Sequence, residues 1–116
     1  MSNRLHIRFL ALFLTLAGPV ATTALYAETP ASIHASIQVT IKDFMFSPTS
    51  LTVKAGSTVT WTNGDDEPHT VVSDDKLFRS GSLDTNESFK FRFEKTGTYH
   101  FTCSIHPQMV GTIVVQ

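Results

Sequence analysis

One cysteine, Cys103, stands in a chain of 116 residues, so no disulfide can form within it. Small exported domains usually rely on such bridges, and a chain without one needs another staple or has another use for the thiol. Charge is also scarce. Only 16% of residues are charged and the formal net charge is −1, which argues against nucleic acid as a partner. No apolar run reaches the roughly 20 residues that span a bilayer as a helix. The sequence beyond residue 27 shows no convincing helical period, internal repeat or low-complexity tract.

The N-terminus explains the short apolar run that is present. Met1 to Ala27 begins with Arg4 and Arg8, continues through "FLALFLTLAG" and ends in small residues around Ala24 and Ala27. This is the pattern of a secretory signal peptide, with Gly18-Pro19 interrupting the apolar core before the cleavage region. Cleavage after Ala27 is the preferred reading, and cleavage after Ala24 is the alternative. Removing 27 of the 116 residues takes two of nine basic residues and none of the ten acidic ones, leaving 89 residues with a charge near −3. That length suits one small domain. Residues 28–36 read as a flexible lead-in, and 37–116 as the domain. Export would place it in the periplasm.

From Ile37 onward the chain is a succession of short alternating segments: "IQVTI", "SLTVK", "TVTWT", "HTVVS", "SFKFRFE", "TYHFTC" and "GTIVVQ". Each puts β-branched or aromatic residues at every second position, the period of a strand with one buried face. Ser47-Pro48, Ala55-Gly56-Ser57, Asn63-Gly64-Asp65-Asp66, Gly81-Ser82 and Thr96-Gly97 supply turns between them. Seven or eight such strands without helices predict an all-β, antiparallel Greek-key sandwich.

The stretch "YHFTCSIHPQM" places Cys103, His106 and Met109 at spacings of three around a turn that Pro107 enforces. Cys103 shares the inward face of its strand with Tyr99 and Phe101, while His100 faces outward. A fourth donor is available in "NGDDEPHTVV", where His69 opens a strand. Strand ends from remote parts of a sandwich meet at one pole. The resulting set of two imidazoles, one thiolate and one thioether is the donor set of blue-copper electron-transfer sites. Thiolate and thioether favour Cu(I), and imidazole suits both oxidation states.

Other chemistries fit these residues less well. Structural zinc calls for further Cys or His, to which Met109 adds little. A Cys-His nucleophile needs a cleft and an orienting group. "CSIH" lacks the second cysteine of a c-type haem attachment site. Taken singly, Cys103 reads as a buried small hydrophobe, His106 as a loop residue, Met109 as core filler and His69 as a turn residue; their order and placement together carry the metal reading. His34 and His100 read as surface residues, and Met45 as packing in the core or near the site.

These residues resemble a cupredoxin of the plastocyanin, pseudoazurin and amicyanin group. The resemblance rests on "FMFSPTSLTVKAGSTVTWTNGDDEPHTVV" and "GTYHFTCSIHPQMVGTIVV", and the short Cys-x-x-His-x-x-Met loop is most similar to amicyanin. Ile105 stands where proline is frequent, and Thr70 where asparagine often follows the first histidine. The resemblance implies one type 1 copper ion held by His69, Cys103, His106 and Met109, in a monomeric electron carrier rather than an enzyme. It implies redox partner proteins as donor and acceptor, such as a periplasmic dehydrogenase, a c-type cytochrome or an oxidase. It also implies that the Thr70 N–H approaches the Cys103 sulfur and that the Thr70 hydroxyl ties to Ser104. Electrons would pass through an apolar patch of Pro68, Ile105, Pro107 and Met45 around His106. Asp65, Asp66, Glu67, Asp74 and Asp75 either steer a basic partner or form a solvated loop. A copper trafficking or storage module is the alternative. A catalytic multicopper domain lacks the necessary His-x-His pairs and length, and a metal-free β interaction domain is the blandest reading.

Overall fold

Gly18 and residues 36–116 are described by the computed structural model. The expected signal peptide and nearly all of the lead-in lie outside these residues. Within them, eight strands form: β1 (Ile37–Lys42), β2 (Met45–Ser47), β3 (Ser50–Val53), β4 (Ser57–Asn63), β5 (Val72–Ser73), β6 (Ser88–Phe93), β7 (Gly97–Cys103) and β8 (His106–Val115). They make two four-stranded sheets, ordered β2-β1-β4-β6 and β3-β8-β7-β5.

The sandwich agrees with the alternation in the sequence, but the sheets are mixed rather than purely antiparallel. β1 runs parallel to β4, and β3 parallel to β8. Connectivity is the reason. After β2 the chain leaves the first sheet to place β3 in the second, so β4 returns to the first sheet running in the same direction as β1. The alternation reports which face of a strand is buried and does not encode this crossover.

Inward residues from both sheets meet in one core. Val39 and Ile41 of β1, Val59 and Trp61 of β4, Phe93 of β6, Phe101 and Cys103 of β7, and Met109, Ile113 and Val115 of β8 are all buried. Trp61 is its aromatic centre, with ring centroids of Phe101, Phe78 and Phe89 at 5.4, 5.6 and 5.9 Å. Fully burying each such aliphatic or aromatic side chain contributes about 1.5–3 kcal/mol, which is how a domain without a disulfide holds together. Gly111 lies opposite Phe101 in the β7–β8 pair. A Cβ there would sit 2.3 Å from the Phe101 ring, so the absent side chain makes room for the aromatic.

The expected strand "HTVVS" is mostly not strand. Only Val72 and Ser73 form β5, while His69 is held by an isolated bridge to Leu83. β7 and β8 form a long hairpin whose register shifts at its tip: Thr102 pairs with Val110, but Cys103 pairs with His106. Residues 107–109 are therefore surplus on the β8 side, a bulge at the end of the sandwich.

Candidate metal centre

That bulge sets the geometry of one half of the site. Cys103 ends β7 pointing into the core and is fully buried, and its register partner His106 is half-buried. Met109 closes the bulge and is buried, with 4% of its surface exposed.

The other half is built by hydrogen bonds rather than by a strand. Asn63, fully buried at the end of β4, donates through Nδ2 to the carbonyls of Glu67 (2.8 Å) and Leu83 (2.9 Å). Its Oδ1 accepts from the Asp65 N–H at 2.9 Å. These bonds shape the turn, and reciprocal backbone bonds between His69 and Leu83 (3.1 and 2.8 Å) then fix the chain where it meets the hairpin tip. His69 is fully buried there.

The two segments converge. One ligand atom each from His69, Cys103 and His106 all lie within 4.8 Å of one another. Cys103 Sγ is 3.8 Å from His69 Nδ1 and 3.6 Å from His106 Nδ1. An ion bonded to sulfur at about 2.3 Å and to nitrogen at about 2.0 Å, with a trigonal angle near 120°, requires a sulfur-nitrogen separation of about 3.7 Å. Both observed distances fit that requirement without rearrangement. Of the four residues singled out in the sequence, the structure thus gathers three by distance and places the fourth, Met109, in the same bulge.

Thr70 adds further polar groups beside the sulfur. The Thr70 N–H points at Cys103 Sγ from 3.4 Å and the Thr70 hydroxyl lies 3.8 Å from it. That hydroxyl accepts from the Ser104 N–H at 2.8 Å and bonds the Ser104 hydroxyl at 2.8 Å. The threonine joins the two segments that carry His69 and Cys103, as the resemblance implied.

Two residues have roles that the sequence did not suggest. Asp65, grouped above with the acidic loop, is buried, and its carboxylate accepts from His69 Nε2 at 2.9 Å. It also accepts from the N–H groups of Asp43 (2.7 Å) and Phe44 (3.0 Å). Burial pushes the Asp65 carboxyl up, but the Phe44 and Asp43 N–H groups together with His69 outweigh it and hold the group below the usual carboxylate range. Asp65 is therefore a structural anion and not part of a steering surface; Asp66, Glu67, Asp74 and Asp75 are exposed. Phe44 is the second: its ring centroid lies 5.0 Å from that of His106 and 5.3 Å from that of His69. Asp65 lies only four residues before His69, but its other partners, the Asp43 and Phe44 N–H groups, are more than 20 residues away. The Phe44 ring meets His69 and His106 across still longer separations that no local pattern records.

Met45 is 62% exposed and so is not core packing; it borders a shallow pocket with Phe44, Gln108 and Met109. Pro68, Ile105 and Pro107 are exposed. His100 faces outward and its Nδ1 bonds the Thr112 hydroxyl at 3.0 Å.

Comparison with known proteins agrees with this geometry. Residues 9–115 match the cupredoxin-like domain family. Amicyanin-alpha of Methylorubrum extorquens is 35% identical over 127 aligned positions, covering 95% of this chain and all of that protein. Plastocyanin of Scenedesmus fuscus is 39% identical over 85 residues, 62% of this chain and 87% of that one. Among solved structures, a purple cupredoxin from Nitrosopumilus maritimus superposes with a TM-score of 0.66 at 36% identity, covering 70% of this chain and all of that one. A Cu(I) form of an amicyanin mutant gives 0.66 at 30% identity, over 70% and 82%. With this match over most of its length, and with a Cys-His-His cluster at one pole of a β-sandwich, the chain belongs to the cupredoxin-like family.

Proposed function

We propose that this domain holds one copper ion through His69, Cys103, His106 and Met109 and carries single electrons between redox proteins. The observation that carries the reading is the convergence of both histidine Nδ1 atoms on Cys103 Sγ at 3.8 and 3.6 Å. Copper, when bound, supplies the one-electron Cu(I)/Cu(II) couple. The chain's own residues do the rest. His69 and Cys103 are wholly buried, so water is kept from that side. Asp65 fixes the His69 ring, and the Thr70 N–H steadies charge on the sulfur. Both ligand segments are tied into sheets or bridges, so they move little when the charge changes. Of the three clustered residues His106 alone is not fully buried, and between the exposed apolar neighbours Ile105 and Pro107 it is the port for electrons.

The carrier acts as a monomer in the periplasm, delivered by the signal peptide at residues 1–27, and is not an enzyme. Its donor and acceptor are redox proteins such as a periplasmic dehydrogenase, a c-type cytochrome or an oxidase. The amicyanin and plastocyanin relatives support this class. No helix among the described residues is long and apolar enough to cross a membrane. A buried thiolate in a rigid frame favours electron transfer over copper trafficking or storage, where the ion must leave readily.

The test is the visible and EPR spectrum of the mature protein with Cu(II), recorded also for Cys103→Ser. An intense thiolate-to-copper band that vanishes in the variant is expected. A colourless Cu(II) form of the wild type would leave a trafficking or metal-free role.

A further inference from the structure

Lys42 pairs with Met45, so the connection between β1 and β2 is a two-residue hairpin. Its central residues, Asp43 and Phe44, have φ of +52° and +58°. Two-residue hairpin loops with both φ values positive are normally built from Asn-Gly or Asp-Gly, because the second position crowds a Cβ. Aspartate occupies the first position here as usual. The second, where glycine fits without strain, holds a phenylalanine. A bulky side chain in this region persists only where its surroundings enforce the backbone, and such departures gather at functional sites.

The enforcement and its product are both visible. The Asp65 carboxylate accepts the N–H groups of Asp43 and Phe44, locking the turn, and with the same group accepts from His69 Nε2. The locked turn sets the Phe44 ring nearly perpendicular to both imidazoles, at 88° to His106 and 81° to His69. His69 has Asp65 to orient it. For His106, among the described residues, the side-chain hydrogen-bond contact is that of its Nδ1 with Cys103 Sγ. Two rings pack against that half-buried imidazole: His69, itself a member of the cluster, at 4.9 Å and tilted by 55°, and Phe44 at 5.0 Å, the one ring contact from outside the cluster among the described residues.

We propose that Phe44 is a positioning residue that braces the His106 imidazole against rotation, so that its Nδ1 faces Cys103 before any metal arrives. The strain of the turn is kept because the ring is needed there. This inference rests on the ligand set proposed above, and it adds a residue that touches no metal.

Phe44→Gly tests it directly, because glycine relaxes the backbone while removing the ring. The urea midpoint of the metal-free variant is expected to equal or exceed that of the wild type. Its Co(II) complex is expected to lose metal to a chelator about tenfold faster, the scale on which orienting partners act at metal sites, and Phe44→Tyr is expected to restore the wild-type rate. In the metal-free protein, NMR cross-peaks between the His106 ring and the Cys103 β-protons are expected in the wild type and lost in Phe44→Gly. Retention of those cross-peaks in Phe44→Gly, or unchanged Co(II) release, would overturn the brace. Should Phe44→Gly fail to fold, Phe44→Leu is read by the same two measurements. The metal-free NMR comparison needs no copper, so a wild type that binds none sinks the electron-carrier reading while leaving the brace to be judged separately.

Discussion

Asp65 holds His69 through Nε2 at 2.9 Å, on the ring edge away from Cys103, while Nδ1 of the same ring lies 3.8 Å from the Cys103 sulfur. One carboxylate thereby sets both the tautomer and the direction of a buried imidazole. An imidazole that gives its Nε2 proton to Asp65 leaves the Nδ1 lone pair aimed at the point shared by Cys103 and His106. The carboxylate is itself almost wholly buried and takes two backbone N–H groups from the β1–β2 turn.

Asp65→Ala should therefore act twice. One buried donor, His69 Nε2, and two part-buried N–H groups lose their acceptor, and with about 1–3 kcal/mol for the buried group and less for the others the loss of folding stability should be about 2–3 kcal/mol. Metal affinity should fall between about 10- and 100-fold, as when other orienting partners are removed. Urea denaturation of the metal-free protein and competitive copper titration measure the two effects separately. An affinity equal to wild type would mean that Asp65 serves the turn alone.

Gly111 gives a sharper packing prediction. A Cβ at this position lies 2.3 Å from one ring atom of Phe101 and under 3 Å from two more. Phe101 cannot yield, because Phe46 and Trp61 pack against it at 4.8 and 5.4 Å. Gly111→Ala should cost at least the upper part of the roughly 1–3 kcal/mol typical of overpacked cores. A melting temperature unchanged from wild type would show that the hairpin moves aside.

What was legible in the sequence is what local order encodes. Phe89, Phe91 and Phe93, or Tyr99, Phe101 and Cys103, show their shared face by spacing alone, and all line the core or pack against it. The meeting of His69, Cys103 and His106 was legible because strand ends in a sandwich gather at its poles. The parallel pairing of β1 with β4 was not, since register and direction follow from a crossover that alternation does not record. Asp65 was misread for a similar reason. Within "NGDDEP" it looks like one more solvated acid, and only the bend imposed by Asn63 turns it inward. Phe44 was hidden by the positive φ of its turn, a position where a sequence reader expects glycine.

Trp61 offers a test of the core that needs no mutation. Its side chain is wholly buried, and its Nε1 is without a hydrogen-bond partner among the described residues. An indole surrounded by Phe78, Phe89, Phe93 and Phe101 has no mobile dipoles to relax around its excited state. As this is the chain's only tryptophan, the fluorescence of the metal-free protein should lie far to the blue of an exposed indole and resist quenching by iodide. Emission like that of free tryptophan would mean that water reaches the core.

Thr70→Val separates the backbone contribution at the sulfur from that of the side chain. Valine keeps the shape and the N–H 3.4 Å from Cys103 Sγ, but removes the hydroxyl that lies 3.8 Å from the sulfur and binds Ser104. The part-buried Ser104 N–H then loses its acceptor, so stability should fall by about 0.5–1.5 kcal/mol. The electronic effect has a definite sign. A donor near the sulfur withdraws electron density from the thiolate, and an electron-richer thiolate favours Cu(II) over Cu(I). Removing the donor should thus lower the midpoint potential, which protein-film voltammetry of the copper-loaded variant would measure. An unchanged potential would assign the tuning to the Thr70 N–H and leave the hydroxyl as a tie between His69's segment and the hairpin tip; a raised one would contradict the electrostatic account of the sulfur altogether.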